Sequence, residues 1–252
     1  MTRSHDALVQ DQFGPGAADY ISSAVHSHGT DLQRIVTLAA AHAPVRALDL
    51  GCGGGHVAYA IAPHAGQVTA CDLSRDMIAA VEAEGARRGL VNLRTCIAPA
   101  ATLPFPDGDF AMLACRFSAH HWQDVPSGLS EARRVLAPGG VAVFAGVIAP
   151  PFAAADTHLQ AVELLRDPSH VRDYTEAEWC AMLQHAGFMI TKVTKARLHL
   201  NFADWIARMR TTPDRAAAIR TLQSFASSEV AGHFAIEPDG SFTVDTLLIE
   251  VK

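Results

Sequence analysis

The sequence predicts an α/β fold built on a doubly wound, mainly parallel sheet. An apolar strand, Val45 to Leu50, runs into a glycine turn that opens a helix. A second strand, Gln67 to Ala70, runs into Cys71 and Asp72, which places a carboxylate about 20 residues beyond that turn, where such folds bind a ribose hydroxyl. Strands and helices then alternate as far as residue 147, which is typical of parallel strands joined by right-handed crossovers.

The first strand and its turn predict a nucleoside-cofactor site. The strand is apolar throughout apart from Arg46 and Asp49, as expected of a strand buried on both faces. Gly51, Gly53 and Gly55 follow at alternate positions, where glycine permits a positive φ and lets a ligand approach the backbone. The helix over residues 57–62 should direct its free N–H groups at the turn.

The spacing of these glycines indicates which cofactor is bound. A dinucleotide site needs the pattern G-x-G-x-x-G, but the third glycine position is His56 counted from Gly51, and Ala58 counted from Gly53. The pattern here, Asp49-x-Gly51-x-Gly53-x-Gly55, instead resembles motif I of the class I S-adenosylmethionine (SAM) methyltransferases. An NAD site and an unliganded glycine turn are the competing interpretations.

The remaining elements of the first half complete the alternation. Ser74 is placed to cap a helix, and the Pro and Gly residues of 104–108 and 137–140 mark turns. The predicted strands cover residues 67–70, 93–97, 110–115 and 141–147, and the predicted helices cover residues 75–88 and 127–136.

The second half carries fewer strands and more helices. Thr175 and Glu178 form a capping-box pattern at the start of one helix. Asp239-Gly240 is a hairpin-type turn before a last strand. We expect helices over 154–166, from 175 to 187, over 202–209 and over 213–225, with strands over 189–200 and 242–251. Residues 1–43 are predicted to form an N-terminal helical cap on a cofactor-binding domain of residues 44–252, whose segment 150–235 contains substrate-side helices.

Composition narrows the possible partners. The chain has 252 residues, a formal net charge of −6 and no cluster of Lys and Arg, so we do not expect it to bind nucleic acid. No apolar run approaches a membrane span and the N-terminus has no signal-type apolar region, so we expect a cytoplasmic monomer or homodimer that binds no membrane. Five cysteines without a C-x-x-C pair, and histidines without ligand spacing, predict neither disulfides nor a metal site.

Motifs along nearly the whole chain are similar to one family. LDLGCGGGH, VTACDLS, LPFPDGDF, RFSAHHW and RRVLAPGG carry the resemblance in the first half, and LLRDPSHVRDY, WIARMR and GSFTVD carry it in the second. The sequence resembles the methyltransferase type 11 group related to ubiquinone/menaquinone C-methyltransferases, and within it the YafE-type methyltransferases. This resemblance implies a Rossmann-like sheet of seven strands in the order 3-2-1-4-5-7-6 with the last strand antiparallel. It also implies SAM as cofactor, with S-adenosyl-L-homocysteine as product, and leaves the substrate open.

The resemblance assigns cofactor contacts to particular residues. The glycines should line the methionine tail of SAM, with Asp49 near its ammonium, and Asp72 should accept hydrogen bonds from both ribose hydroxyls. An acidic residue that usually contacts adenine is absent from the stretch Ala98-Pro99-Ala100, and a proline has no N–H to donate. The cofactor residues predicted in this way are Asp49, Gly51, Gly53, Gly55, Asp72, Leu73, Met77, Pro99, Ala100 and Arg116.

Two histidines after strand four are candidates for catalysis. His120 and His121 stand where this fold presents reacting groups, and an imidazole suits a general base if the acceptor must lose a proton. Packing and helix capping are the alternative roles for this pair. The acceptor pocket is expected to involve Phe13, Tyr20 and His26, as candidates to close over the cofactor. Candidates for binding an anionic or quinol-like acceptor are His170, Arg172, Tyr174 and Arg208, with solvated arginines and a surface histidine as the alternative.

The predicted function is therefore SAM-dependent methylation of a small molecule at O, C or N, in the class EC 2.1.1. A quinone-type C-methyltransferase, and a SAM-binding protein without methyl transfer, are the alternatives.

Overall fold

A computed structural model of the chain describes residues 4–13 and 29–252. Its centre is a seven-stranded sheet with the strand order β3-β2-β1-β4-β5-β7-β6. Strands β1 to β5 pair in parallel, and β7 lies antiparallel between β5 and β6. The strands are β1 (Arg46–Leu50), β2 (Gln67–Asp72), β3 (Leu93–Ile97), β4 (Phe110–Arg116), β5 (Leu136–Val147), β6 (Ile190–Leu200) and β7 (Phe242–Val251). The predicted fold, strand order and antiparallel last strand are confirmed.

Ten α-helices are present in the described residues. They are α1 (His5–Phe13), α2 (Thr30–His42), α3 (His56–Ile61), α4 (Arg75–Arg87), α5 (Val125–Val135), α6 (Ala153–Arg166), α7 (Glu176–His185), α8 (Phe202–Arg208), α9 (Pro213–Ser224) and α10 (Ser228–Phe234). Short 3₁₀ turns cover Ala62–His64 and Ala119–His121.

Side-chain caps explain where several helices begin. The Ser74 hydroxyl accepts a hydrogen bond from the Met77 N–H at the start of α4, as predicted. The predicted capping box of α7 is also present, with Thr175 and Glu178 each bonding the other's backbone N–H. Helix α5 begins two residues before its predicted start, because Asp124 caps it and accepts from the Ser127 N–H.

Strand register brings the carboxyl ends of three strands to one edge of the sheet. Leu50 at the end of β1 lies opposite Cys71 of β2, and Asp49 lies opposite Ala114 of β4. In parallel sheets of this kind, ligands bind outside this edge. The loops that follow β1, β2 and β4 therefore meet at one place.

The core occupies both faces of the sheet, with alternate residues of each strand facing opposite ways. Leu48, Leu113 and Phe144 belong to one buried cluster, whereas Met112 and Val143 belong to the other. Helix α2 packs into the second cluster through its buried apolar residues, including Ile35 and Ala39. A third cluster lies beneath the later helices and contains Leu159, Trp205, Phe234, Phe242 and Val244.

Two further elements differ from the sequence prediction. Strand β5 begins at Leu136 rather than at residue 141, because Leu136 already pairs with Phe110 of β4; the register then shifts before Val141, with Gly139 at a φ of 76° in between. Helix α10 was not predicted; Ser227 caps it by accepting from the Val230 N–H. None of the helices in the described ranges has the length and apolar character to cross a membrane.

Candidate functional site

A cavity of about 460 Å³ opens at the carboxyl edge of the sheet. Its volume falls within the range of about 300–1,000 Å³ that is usual for small-molecule sites. The glycine turn after β1, the loops after β2, β3 and β4, and residues of α6, β6 and α8 line it. The cavity therefore joins the predicted cofactor edge to the helices of the second half.

The glycine turn forms the wall of the cavity beside β1. Gly51, Gly53 and Gly55 have φ angles of 68°, 48° and 79°, a region that residues with a Cβ rarely adopt. A Cβ on Gly51 would lie 1.9 Å from the Ser118 hydroxyl oxygen, whereas a Cβ on Gly53 would meet nothing within 4 Å. Since Gly53 also lines the cavity, its backbone is open to a ligand.

Asp72, the last residue of β2, holds this turn in place. One carboxylate oxygen accepts from the Gly53 N–H and the other from the Ser74 N–H, each at 2.9 Å. Burial raises the pKa of Asp72, and the hydrogen bonds from Ser74 and Gly53 oppose that rise. The predicted ribose-binding carboxylate thus lines the cavity beside the glycine turn.

Asp49 lies beneath the turn and is only 1% exposed. Its carboxylate accepts from the Ala58 N–H at 2.9 Å, which fixes the first turn of α3. Burial raises the pKa of Asp49 to about 7, with the Ala58 hydrogen bond opposing this shift and the charge of Asp72 adding to it. Asp49 also lines the cavity, as do the predicted residues Leu73, Met77, Pro99 and Ala100.

Arg116 ends β4 and enters the cavity wall. Its guanidinium bonds the carboxylate of Asp31 on α2, with distances of 2.5 Å from Nε and 3.2 Å from a terminal nitrogen. The next residue, Phe117, has a φ of 51°, so the chain turns sharply at the end of the strand. This turn places the Ala119–His121 segment over the cavity.

His121 is the better defined of the two candidate catalytic histidines. Its Nδ1–H donates to the Ser169 carbonyl at 3.2 Å, because a carbonyl oxygen only accepts. Its Nε2 lies 3.9 Å from a carboxylate oxygen of Asp167. The rings of Phe13 and His120 pack against it, with centroids at 4.9 Å and 4.1 Å.

The electrostatics of His121 favour a neutral imidazole. Burial lowers its pKa, and the charge of Asp167 and the Ser169 hydrogen bond partly oppose this shift. A neutral ring whose Nδ1 carries the hydrogen keeps a lone pair on Nε2, and that nitrogen can accept a proton. The nearby Asp167 carboxylate would then stabilise the imidazolium.

A group of charged side chains from the end of α6 and the following loop also lines the cavity, and the sequence did not indicate it. Glu163, Arg166 and Asp167 stand on the last turn of α6 and just beyond it, at i, i+3 and i+4, and Asp173 follows in the next loop. Arg166 contacts Glu163 at 3.1 Å. The helical spacing of the three α6-end residues was the available signal, since it places them on one face.

The predicted substrate residues divide into three groups. Phe13 and Arg208 line the cavity. His170, Arg172 and Tyr174 are not among the lining residues. The Nε2 of His170 bonds the Gln160 side chain at 2.9 Å, and burial lowers the pKa of His170 to about 4. Arg172 pairs with Asp156 at 3.0 Å. The predictions for Tyr20 and His26 lie outside the described residues.

The described cysteines are unpaired thiols. Burial raises the pKa of Cys52, Cys71 and Cys115, so these thiols stay protonated. Within residues 4–13 and 29–252, no three His, Cys, Asp or Glu side chains are grouped to hold a metal ion.

Comparisons with known proteins agree with this geometry. The Methyltransferase domain family matches residues 48–144. The Escherichia coli protein YafE is 38% identical over 200 residues, which cover 79% of this chain and 97% of YafE. The Bacillus subtilis methyltransferase YcgJ is 33% identical over 224 residues, covering 89% of this chain and 88% of YcgJ. The crystal structure of YcgJ superposes with a TM-score of 0.85, at 31% identity, over 89% of this chain and 98% of that one. A demethylmenaquinone methyltransferase of Thermus thermophilus is 38% identical over 130 residues, which are 50% of this chain and 59% of that enzyme.

Proposed function

The chain belongs to the methyltransferase family that these relatives share and is a SAM-dependent methyltransferase, and from that premise we propose that it methylates a small molecule bound in the cavity. One observation carries the proposal. The left-handed backbone of Gly53 is open to the cavity, and its N–H is bonded to Asp72, so a glycine turn and an acidic strand end form one wall.

The residues of this wall fit SAM. The open backbone at Gly53 admits the methionine tail of the cofactor. Each Asp72 oxygen accepts one backbone N–H and keeps a further lone pair, which suits it to accept a ribose hydroxyl. Leu73 and Met77 supply apolar surface for adenine, and the Ala100 N–H is available to its ring.

When bound, SAM supplies an electrophilic methyl group on its sulfonium. The protein contributes alignment of the acceptor and exclusion of water, which are the main aids to such an in-line displacement. The neutral His121 accepts the proton that a hydroxyl or amine acceptor releases, through Nε2. Asp167, at 3.9 Å, stabilises the resulting imidazolium.

Methylation of a quinone ring carbon is the second candidate. The similarity to the Thermus thermophilus demethylmenaquinone methyltransferase favours it, together with the apolar cavity residues Val147, Leu198 and Leu200.

Calorimetric titration with SAM, S-adenosylhomocysteine and NADH tests the cofactor assignment. We expect micromolar binding of the two sulfur nucleosides and no heat from NADH. Binding of NADH in place of them would refute the assignment. Formation of S-adenosylhomocysteine with panels of amines, phenols and a demethylmenaquinone analogue then separates the candidates. Absence of turnover with every acceptor, in a protein that binds SAM, would favour a binding protein over an enzyme acting on these classes.

A further inference from the structure

We propose that the methyl acceptor carries a protonated amine and that the carboxylate of Asp173 binds it at the α6 end of the cavity. This inference rests on the proposed function, since it identifies the chemical class of the acceptor. Four features of the described residues support it: the hydrogen bonding of Asp173, that of its acidic neighbours, the charge of the cavity lining, and the titration of the carboxyl group.

Asp173 lines the cavity and is 3% exposed. Both of its backbone groups are bonded to one side chain: its N–H donates to the Gln160 carbonyl oxygen at 3.0 Å, and its own carbonyl accepts from the Gln160 amide at 2.8 Å. No residue in the described part of the chain donates a hydrogen bond to its carboxylate. The carboxylate is therefore the polar group that Asp173 leaves to the cavity.

The neighbouring carboxylates have donors of their own. Asp167 accepts from both the N–H and the hydroxyl of Ser169, at 2.8 and 2.6 Å. Glu163 accepts from the Arg166 guanidinium at 3.1 Å. A buried carboxylate without such a donor is unfavourable, and a ligand that supplies one removes that cost. Asp173 is thus the carboxylate of this group to which a ligand would supply the missing hydrogen-bond donor.

The charge of the cavity lining favours a cation. In the described residues, seven carboxyl groups line the cavity against three guanidinium groups, and no lysine does. The carboxyl groups belong to Asp6, Asp49, Asp72, Asp124, Glu163, Asp167 and Asp173, and the guanidinium groups to Arg116, Arg166 and Arg208. Burial raises the pKa of several of these carboxyl groups, and a cation favours their ionised forms, so this lining accommodates a cationic acceptor better than the anionic acceptor predicted from the sequence.

The raised pKa of the Asp173 carboxyl is consistent with a site that binds a cation. Burial raises the pKa of its carboxyl well above the usual value, and the charge of Glu163 adds to the rise, with Arg166 opposing it. An ammonium group placed beside the carboxyl favours its ionised form, so the pair forms together.

Matched probes test the proposal without knowledge of the natural acceptor. Small skeletons, such as a phenylethyl and a cyclohexylmethyl group, are each prepared as an amine, an alcohol and a carboxylate. Binding of each is measured by calorimetry to the protein saturated with S-adenosylhomocysteine. We expect the amines to bind about tenfold or more tightly than their alcohols, and the carboxylates to bind least. Equal or tighter binding of the alcohols or carboxylates, or no binding of any amine at millimolar concentration, would overturn the proposal.

Asp173→Asn, which keeps the side-chain shape and removes its charge, should abolish the preference for amines and leave S-adenosylhomocysteine binding intact. Asp245→Asn is the control, since this residue lies outside the cavity lining and pairs with His233 and Arg197. The control should keep the preference. If Asp173→Asn still prefers amines, the proposal is contradicted. If the wild-type protein does not bind S-adenosylhomocysteine, the proposed function is contradicted instead.

Discussion

The substitution Gly53→Ala tests two effects that can be measured separately: a loss of protein stability at the glycine turn and a loss of cofactor affinity. The added Cβ meets no protein atom within 4 Å, so the substitution creates no steric clash inside the protein. Its cost comes from the φ of 48°, and an L-residue in the left-handed region costs about 1–2 kcal/mol. For a chain of this size that corresponds to a fall in Tm of about 2–8 °C.

The same methyl group occupies space that the ligand needs. If the methionine tail of SAM lies against Gly53, the loss of close approach should raise the Kd for S-adenosylhomocysteine by about tenfold or more, equivalent to at least about 1.4 kcal/mol. Calorimetry measures this Kd, and a thermal melt without ligand measures the stability of the same sample.

Gly89→Ala is the matched control. Gly89 follows α4, has a φ of 70°, and likewise has no atom within 4 Å of an added Cβ, but it does not line the cavity. It should lose a similar amount of stability and bind S-adenosylhomocysteine as the wild type does. If Gly53→Ala shows the same fall in Tm with an unchanged Kd, the cofactor does not approach this turn and the reasoning is refuted.

Three further predictions concern titratable side chains at or near the cavity. Asp72→Asn should weaken SAM binding by about tenfold or more through loss of a charged hydrogen bond, measured by calorimetry; unchanged affinity would remove Asp72 from the site. His121→Asn, whose amide can still donate to the Ser169 carbonyl, should lower kcat by about 100-fold or more at unchanged SAM affinity, and normal turnover would exclude His121 as the base. His170 should titrate near pH 4 by NMR, because burial lowers its pKa to about 4. The unfolded chain binds this proton near pH 6.5, so the His170 contribution to the free energy of unfolding should fall as the pH drops from about 6.5 to 4. In His170→Gln, the dependence of the free energy of unfolding on pH should be flatter over this range. An equally steep dependence would contradict the prediction.

The sequence located the residues of the glycine-turn wall of the cavity because their signals are local; their contacts with the cofactor stay a prediction. The positive φ angles at Gly51, Gly53 and Gly55 follow from residue type, and Asp72 follows from its position at the end of β2. Asp49 also accepts from the Ala58 N–H beneath the turn, a contact that its strand position alone did not indicate. Its place near the ammonium of the cofactor stays a prediction.

The part of the cavity that we propose for the acceptor depends on contacts between distant parts of the chain. Glu163 and Asp167 reach the cavity because α6 packs beside the loop that follows β4, and no local pattern specifies that packing. Arg172 and Tyr174 were predicted to bind the substrate from their residue types, but their loop turns these side chains away from the cavity, where Arg172 pairs with Asp156. Residue type therefore did not indicate which way these side chains point.

The order of the elements along the chain has an evolutionary consequence. Residues up to the loop after β4 supply the glycine turn and Asp72, whereas the charged group comes from α6 and the loop after it. The family match ends at residue 144, before Glu163 is reached. If the acceptor binds at this charged group, as we propose, mutations after β5 alter which molecule is methylated while the glycine turn and Asp72 are inherited unchanged. Under that proposal, gene duplicates would diverge in substrate by drift in one contiguous segment, and exchange of residues 150–235 between relatives would be the corresponding route for engineering new acceptors.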